Sequence, residues 1–455
     1  PQAALPSNSI SKPRLEEYAD QALRWQQEYL RIDTTNPPGN EVKAAAFFKK
    51  IFDQEGIENQ VFEYAPGRAD IWARIPAAPA SGARPLILLN HMDVVTSDAS
   101  HWKVPPFSGS IVDGSLYGRG AQDMKNEGLA QLMVMVMLKR EKVALQRDVI
   151  FLGVSDEEVD GTGTDWFIAH QRELLGNAEF LINEGGENLL QDGKPRFVGV
   201  DVGEKTAFWL HLVAHGRAGH GSRPNPDSAP NRLVAALQRV LAYQTPIKVL
   251  PVVEEFFRAM APYQTGERVQ EYGNIRQALQ DPRVRSQIEG DGSLNFLIRN
   301  TISLTMLGGS QQTNVIPPDA WANLDVRLLP GEDSHAFLAT IREVIHDANV
   351  TVTPLNQEFR IANYSPADTL LYRQIQRVAH DYFPGAPVVP RLTSGYNENQ
   401  RYRPLGISCY GFSPYMATEE EGSSEHGDNE RVRVEEVRRG FRVLYDVVGG
   451  VAARN

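Results

Sequence analysis

Four short apolar runs, ADIWARIP, PLILLN, DVIFLGV and AEFLIN, share the first part of the chain with a long helical stretch, MKNEGLAQLMVMVMLKREK. Strands this continuously hydrophobic are covered on both faces, and their alternation with helices predicts an α/β domain with a mostly parallel sheet flanked by helices. Two helices come first. Leu15, Tyr18, Ala22, Trp25 and Tyr29 recur at helical spacing, DTTNPPGNE breaks that helix with prolines and a glycine, and a second helix runs from Glu41 to about Glu55.

From about residue 204 the texture changes. AFWLHLVAHG, APNRLVAALQRVLAYQ, TISLTMLGG, AWANLDVRLL, SHAFLATIREVIHDA and VTVTPL read as strand, helix, strand, strand, helix, strand. That order is a ferredoxin-like α+β unit, inserted into the first domain. Residues 245–300 exceed an ordinary connection and carry helical patterns, so they read as a helical elaboration of the insert. The α/β pattern then resumes, and a final helix aligns Val434, Val437, Phe441, Leu444 and Val448. The expected division is 1–203 and 363–455 for the α/β domain and 204–362 for the insert.

The net charge of −11, without a dense Lys/Arg run, argues against nucleic acid as a partner. No segment approaches the roughly 18 consecutive apolar residues of a membrane span. Cys409 is the single cysteine, so an internal disulfide and a thiolate zinc cluster are both excluded, and a metal would need His, Asp and Glu. The polar QAALPSNSISKP after Pro1 resembles the region behind a removed signal peptide, which would make the chain periplasmic or secreted. Loss of an initiator Met before Pro explains it equally and would suit a cytoplasmic chain.

Charge gathers where the strands end. His91 and Asp93 follow LILLN, Asp123 precedes the long helix, Asp156, Glu157 and Glu158 follow VIFLGVS, Glu184 follows FLIN, and His426 stands before the last helix. Ligand sites of open α/β sheets lie outside the carboxyl ends of their strands. Two divalent cations would be neutralised by Asp123, Glu158, Glu184 and one hydroxide, with His91 and His426 as neutral ligands. Without cations, carboxylates so crowded would repel and take up protons.

The pieces HMDVV, GRGAQDMK, SDEE, NEGG, AGHGSRP, TNVIP, DVRLLPG and EHGDNE, in this order from residue 91 to 430, resemble the M20 metallopeptidases, which include carboxypeptidases, dipeptidases and aminoacylases. The resemblance implies a catalytic domain with an inserted lid of the dimerisation type, and two metal ions. It makes His91 and Glu184 ligands of one metal, Glu158 and His426 ligands of the other, and Asp123 the bridge between them. Asp93 would orient His91 through its second ring nitrogen. Glu157 would be the general base that takes a proton from the water bridging the metals. A cis peptide is expected between Asp123 and Met124. On the insert, His220 would stabilise the oxyanion, and Asn314, Arg327 and the loop at Gly395 would hold the substrate's polar end. The strand pattern supports Arg327, which shares a face with Asn323 and Asp325, opposite Ala322, Leu324, Val326 and Leu328.

Blander readings cover the remainder. His101, His170, His211, His335, His346 and His380 read as surface or packing residues, and His215 lies near His220 without a motif of its own. Were the DEE turn one residue out of register, Asp156 and Glu157 would take the roles given to Glu157 and Glu158. Ser222 and Ser424 lack the G-x-S-x-G elbow of a serine hydrolase, and LMVMVML reads as the buried face of its helix. One departure stands out: many relatives carry Gly-x-Thr-Asp where this chain has Gly395, Tyr396, Asn397 and Glu398, which puts the specificity of that loop in question.

The chain therefore reads as a dinuclear amide hydrolase acting next to a carboxyl-terminal residue with a free carboxylate, on N-acyl amino acids or short peptides. Zinc is the expected metal, and cobalt and manganese suit the same donors. A dipeptidase or aminopeptidase-like member and a non-catalytic metal- or solute-binding protein are the alternatives. A homodimer through the lid is the expected assembly.

Overall fold

The computed structural model describes residues 5–77, 82–355 and 362–454. Residues 1–4, which include the start of the polar N-terminal segment, lie outside them. The chain divides into two compact units. One comprises the chain up to Val202, Ser365–Arg391 and everything from Asn397 onward; the other comprises Gly203–Tyr364 and Leu392–Tyr396. Gly395 thus clusters with the second unit.

The first unit is built on a nine-stranded mixed sheet. Its centre is parallel: Leu86–His91 lies between Val149–Val154 and Phe180–Asn183, and Ser408–Gly411 follows on the far side of the latter. Every residue of Leu86–His91 and Val149–Val154 is buried, the apolar runs LILL and VIFLGV together with the polar Asn90 and His91 that end the first strand. The flanks are antiparallel. Glu58–Ala65 and Arg68–Ile75 form a hairpin on one side, and Lys194–Glu204 pairs against Ser408–Gly411 on the other. The parallel strands end at His91, Val154 and Asn183, so the segments after them emerge at one sheet edge.

The Met-rich helix, Lys125–Arg140, is buried all round from Lys125 to Leu138 and not on one face alone. It lies against the strands Leu86–His91 and Val149–Val154 and also against the helices Lys12–Leu30 and Val434–Ala452. Unbranched, flexible Met133, Met135 and Met137 fill gaps between such differently shaped neighbours. No helix among the described residues is long and apolar enough to cross a membrane.

The second unit is an antiparallel five-stranded sheet. Its long strand Asp319–Leu328 pairs with Leu210–His215 and with Thr301–Gly308, and Val350–Pro354 lies beyond Leu210–His215. Ala320, Ala322, Leu324, Val326 and Leu328 are buried in alternation with partly exposed neighbours. They pack with Leu233, Leu237, Val240 and Ile341 from the helices Ala229–Ala242 and Ser334–Ile345. The run AFWLHLVAHG, expected as one strand, is interrupted: Thr206–Ala207 pairs with Arg327 and Leu328, and the ladder restarts at Leu210. The 245–300 elaboration contains five α-helices between Pro251 and Ile298.

Candidate active site

Strand ends and the loops beside them bring the acidic and histidine residues of the first unit together. His91, the last residue of its strand, is buried, and its Nε2 lies 2.8 Å from Asp123 Oδ1 and 3.2 Å from Glu184 Oε2. His426, at φ +58° in the loop before the last strand and helix, places its Nε2 2.8 Å from Asp123 Oδ2 and 3.2 Å from Glu158 Oε2. Each oxygen of Asp123 therefore faces a different histidine. The donor atoms of His91, Asp123 and Glu184 lie within 4.8 Å of one another, and so do those of Asp123, Glu158 and His426. A third set with the same spacing joins Glu157 and Glu184 to Glu398.

The ring of His91 is fixed from behind, chiefly by main chain. Its Nδ1 is 3.1 Å from the carbonyl oxygen of Asp93 and 3.7 Å from the Asp93 carboxylate. That carboxylate instead accepts the backbone N–H groups of Glu157 at 3.1 Å and Glu158 at 3.2 Å. The peptide between Asp123 and Met124 is cis. Asp156 turns away from the cluster at φ +72° and is held by Arg68, Asn36 and Thr162.

Crowding shifts the titration of the set. Burial opposes a charged His91, yet Glu184, Asp123 and Asp93 drive its pKa well above the usual value. Contacts with Asp123 and Glu158 push His426 up to about 10. Burial, together with the neighbouring Glu184 and Glu398, pushes Glu157 well above the carboxylate range, and burial does the same to Glu184. For Asp123 the order reverses: burial is outweighed by His426 and His91, and the carboxyl is held far below its ordinary range. A partly buried set with this appetite for positive charge, made of imidazoles and carboxylates without a thiolate, fits a pair of divalent cations of the zinc, cobalt or manganese type. Glu158 Oε1, buried without a hydrogen-bond partner, is a further acceptor available to one of them.

Residues 87–449 match peptidase family M20/M25/M40. The chain belongs to this family. Among its relatives, the N-fatty-acyl-amino acid synthase/hydrolase PM20D1 of Bos taurus is 30% identical over 382 residues, 80% of this chain and 74% of that protein. Human aminoacylase-1 is 28% identical over 401 residues, 86% of each. The crystal structure of the M20 family metallo-carboxypeptidase Sso-CP2 from Sulfolobus solfataricus superposes with a TM-score of 0.68 at 19% identity, covering 94% of this chain and 98% of that one, and shares its fold. This M20 chain is an amide hydrolase.

In the second unit of the M20 chain, His220 and Asn314 come together on a small exposed ribbon. Gly219–His220 pairs with Val315–Ile316, and the Gly221 N–H donates to the Asn314 carbonyl at 2.8 Å. His220 Nδ1 contacts the Ser222 hydroxyl at 2.8 Å. Arg327 meets the Gly395 loop by donating to Ser394 O at 3.1 Å, while its fork is engaged by Asp325 at 2.7 and 3.2 Å. His215, given no part by the sequence, pairs with Asp319 at 2.7 Å.

Three features escape a sequence reading centred on ligands. Arg119 and Glu430 form a buried ion pair at 2.6 Å, and Glu430 also accepts the N–H groups of Gly120, Gln122 and Asp123 at 2.8, 2.6 and 3.1 Å. Arg119 donates to the carbonyls of His426 and Gly427 at 3.3 and 2.9 Å, so the pair ties the loop of Asp123 to the loop of His426. Gly120 permits this path: its φ is +86°, and a Cβ there would stand 2.8 Å from Val94 Cγ1. Asn36, from a distant loop, and Arg68, from the start of its hairpin strand, reach the turn of Asp156. Glu398, at the departure from the family's Gly-x-Thr-Asp sequence, is fully buried and accepts from Asn183 Nδ2 at 3.1 Å. Its carboxyl therefore belongs to the acidic cluster itself.

Proposed function

We propose that the chain is a dinuclear metal hydrolase that cleaves N-acyl amino acids or short peptides at the bond next to a carboxyl-terminal residue with a free carboxylate. The observation that carries this reading is Asp123, whose two oxygens face two separate histidine–carboxylate sets beside the partly buried Glu157. His91 and Glu184 would hold one ion, Glu158 and His426 the other, and Asp123 both. Zinc, or cobalt or manganese in its place, would supply Lewis-acid polarisation of the scissile carbonyl and a lowered pKa for water.

The protein's own groups do the remaining work. Glu157 would accept the proton of the attacking water and return it to the leaving amine, a task that suits a partly buried carboxyl whose affinity for protons is raised by its surroundings. Asp93 would keep His91 and the Glu157–Glu158 turn in place. His220 is assigned to the developing oxyanion, and Asn314, Arg327 and the Gly395 backbone to the polar end of the substrate. Names of relatives that denote hydrolysis of N-acyl amino acids support the substrate class.

The test is amine release from N-acyl amino acids, dipeptides and their carboxyl-amidated analogues, with zinc-loaded wild type and Glu157→Gln side by side. Cleavage should be confined to free-carboxylate substrates and should fall by about 10²–10⁴-fold in the variant at unchanged metal content. An active Glu157→Gln enzyme would remove Glu157 as the base, and equal cleavage of amidated analogues would remove carboxylate recognition.

A further inference from the structure

The DTTNPPGNE loop and Asp156 have no task in the chemistry above, and the structure connects them. Thr34 Oγ1 donates to Met92 O at 2.7 Å, Asn36 N to Val94 O at 2.9 Å and Val94 N to Thr34 O at 3.2 Å, which lays the loop alongside the segment that carries Asp93. The Asn36 side chain, 5% exposed, is thereby set between two carboxylates. Its Nδ2 donates to Asp93 Oδ2 and to Asp156 Oδ1, each at 2.8 Å, which uses both hydrogens of the amide nitrogen.

The direction of the amide is fixed at its other end, where Asn36 Oδ1 accepts from Arg68 Nη1 at 3.3 Å. The same guanidinium pairs with Asp156 at 2.6 Å and with the buried Glu41 at 2.9 Å, and donates to Pro38 O at 3.0 Å. The turn Asp156–Glu158 is consequently held at all three of its residues. Asp156 is anchored by its side chain to Asn36 and Arg68, and Glu157 and Glu158 by their amides to Asp93.

We propose that Asn36 is a positioning residue: its carboxamide, oriented by Arg68, clamps Asp93 to Asp156 and so fixes the turn from which Glu157 and Glu158 reach the reaction centre. The residue type follows from the charges. Two carboxylates approach one point, and a neutral double donor bridges them, whereas alanine would leave them facing each other and aspartate would add a third anion of the same shape. A small displacement of a catalytic group is costly in rate, so a clamp that never touches substrate controls kcat.

The inference rests on Glu157 as base and Glu158 as ligand, and the experiment separates it from that reading. The zinc-loaded full chain is compared with Asn36→Ala, Asn36→Asp, Arg68→Lys and Glu157→Gln for kcat, KM, thermal unfolding and, by competition with a chromophoric chelator, zinc affinity. Asn36→Ala should lower kcat by about 10–100-fold with KM within about twofold, and Asn36→Asp should lower it further and weaken zinc binding by about 10-fold or more. Arg68→Lys, which keeps the charge and loses the fork, should fall between wild type and Asn36→Ala.

Folded Asn36 variants with wild-type kcat and zinc affinity, or a lowered melting temperature alone, would overturn the proposal, and so would a raised KM at unchanged kcat, which would place Asn36 against the substrate. Should Asn36→Asp fail to fold, Asn36→Ala and Arg68→Lys decide by the same criteria. Wild-type activity in Glu157→Gln would remove the base assignment, while the zinc affinity of the Asn36 variants still decides whether the clamp exists.

Discussion

The acidic cluster of the first unit and the His220–Asn314 ribbon of the second are held by different means. Around the cluster, buried groups fix both side chain and backbone. Glu430 binds the amides of the Asp123 loop, Arg119 binds the carbonyls of the His426 loop, and Asp93 binds the amides of Glu157 and Glu158. His220 and Asn314 are exposed, His220 on the two-residue strand Gly219–His220 and Asn314 in the turn just before its two-residue partner Val315–Ile316. Buried ionic networks are intolerant of single losses, whereas exposed polar groups exchange partners at little cost. The acidic cluster therefore stands where substitution is expensive, and the ribbon of His220 and Asn314, which carries both an oxyanion and a substrate assignment, stands where it is cheap.

Removing one partner from each kind of region puts this contrast at risk. Glu430→Ala leaves Arg119 buried and three loop amides without their acceptor, and should destabilise the protein by about 3–5 kcal/mol. His215→Ala breaks the exposed pair with Asp319, in which both side chains are at least half exposed, and should cost about 1 kcal/mol or less. Urea unfolding of both variants measures the difference, and equal losses would erase it.

A buried carboxyl outside the cluster sharpens the same point. Asp70 is fully buried and accepts from the Ser155 amide at 3.0 Å and its hydroxyl at 2.9 Å. Burial outweighs those two bonds and pushes its pKa up to about 8 from 3.8. Between these values the folded protein keeps a proton that the unfolded chain has released, so Asp70 subtracts stability as pH rises, by at most about 1.4 kcal/mol per pH unit. The decline levels off above pH 8 or so. Unfolding midpoints from pH 5 to 9 should fall less steeply in Asp70→Asn than in wild type, and parallel curves would show that Asp70 is ionised throughout.

How much of this could be read without coordinates follows from how each feature is encoded. The parallel strands are legible because complete burial makes LILL and VIFLGV continuously apolar, and because His91, Glu158 and Glu184 stand just after such runs; Asp123 and His426 stand instead in motifs ahead of helices. The strand Glu58–Ala65 is not: within ENQVFEYA a single residue, Phe62, is buried, and that alternation is too faint to separate from a loop. Arg119 and Glu430 lie inside quoted motifs, yet their pairing spans more than three hundred residues and leaves no local trace. Asn36 resembles an ordinary turn residue before proline, and Glu398 a mere change in a specificity loop. Polar residues at the surface and polar residues buried against a partner have the same letters; the partner distinguishes them, and tertiary structure supplies it.

Arg327 carries the smallest expected effect, and its direction is informative. The guanidinium fork, which recognition of a substrate carboxylate would need, is engaged by Asp325 two residues away on the same face of the strand. Both side chains are about a quarter exposed, so the pair is weak and exchangeable, worth about 1 kcal/mol or less. A substrate carboxylate would compete with Asp325 for one cation. If Arg327 binds it, Asp325→Asn removes the competitor and should lower KM for free-carboxylate substrates by a few-fold, about 1 kcal/mol or less, while leaving KM for amidated analogues unchanged. If Asp325 serves to aim the fork, the same substitution should raise KM instead. An identical KM for both substrate classes before and after would take Arg327 out of substrate recognition and leave it as a tie between its strand and the loop at Ser394.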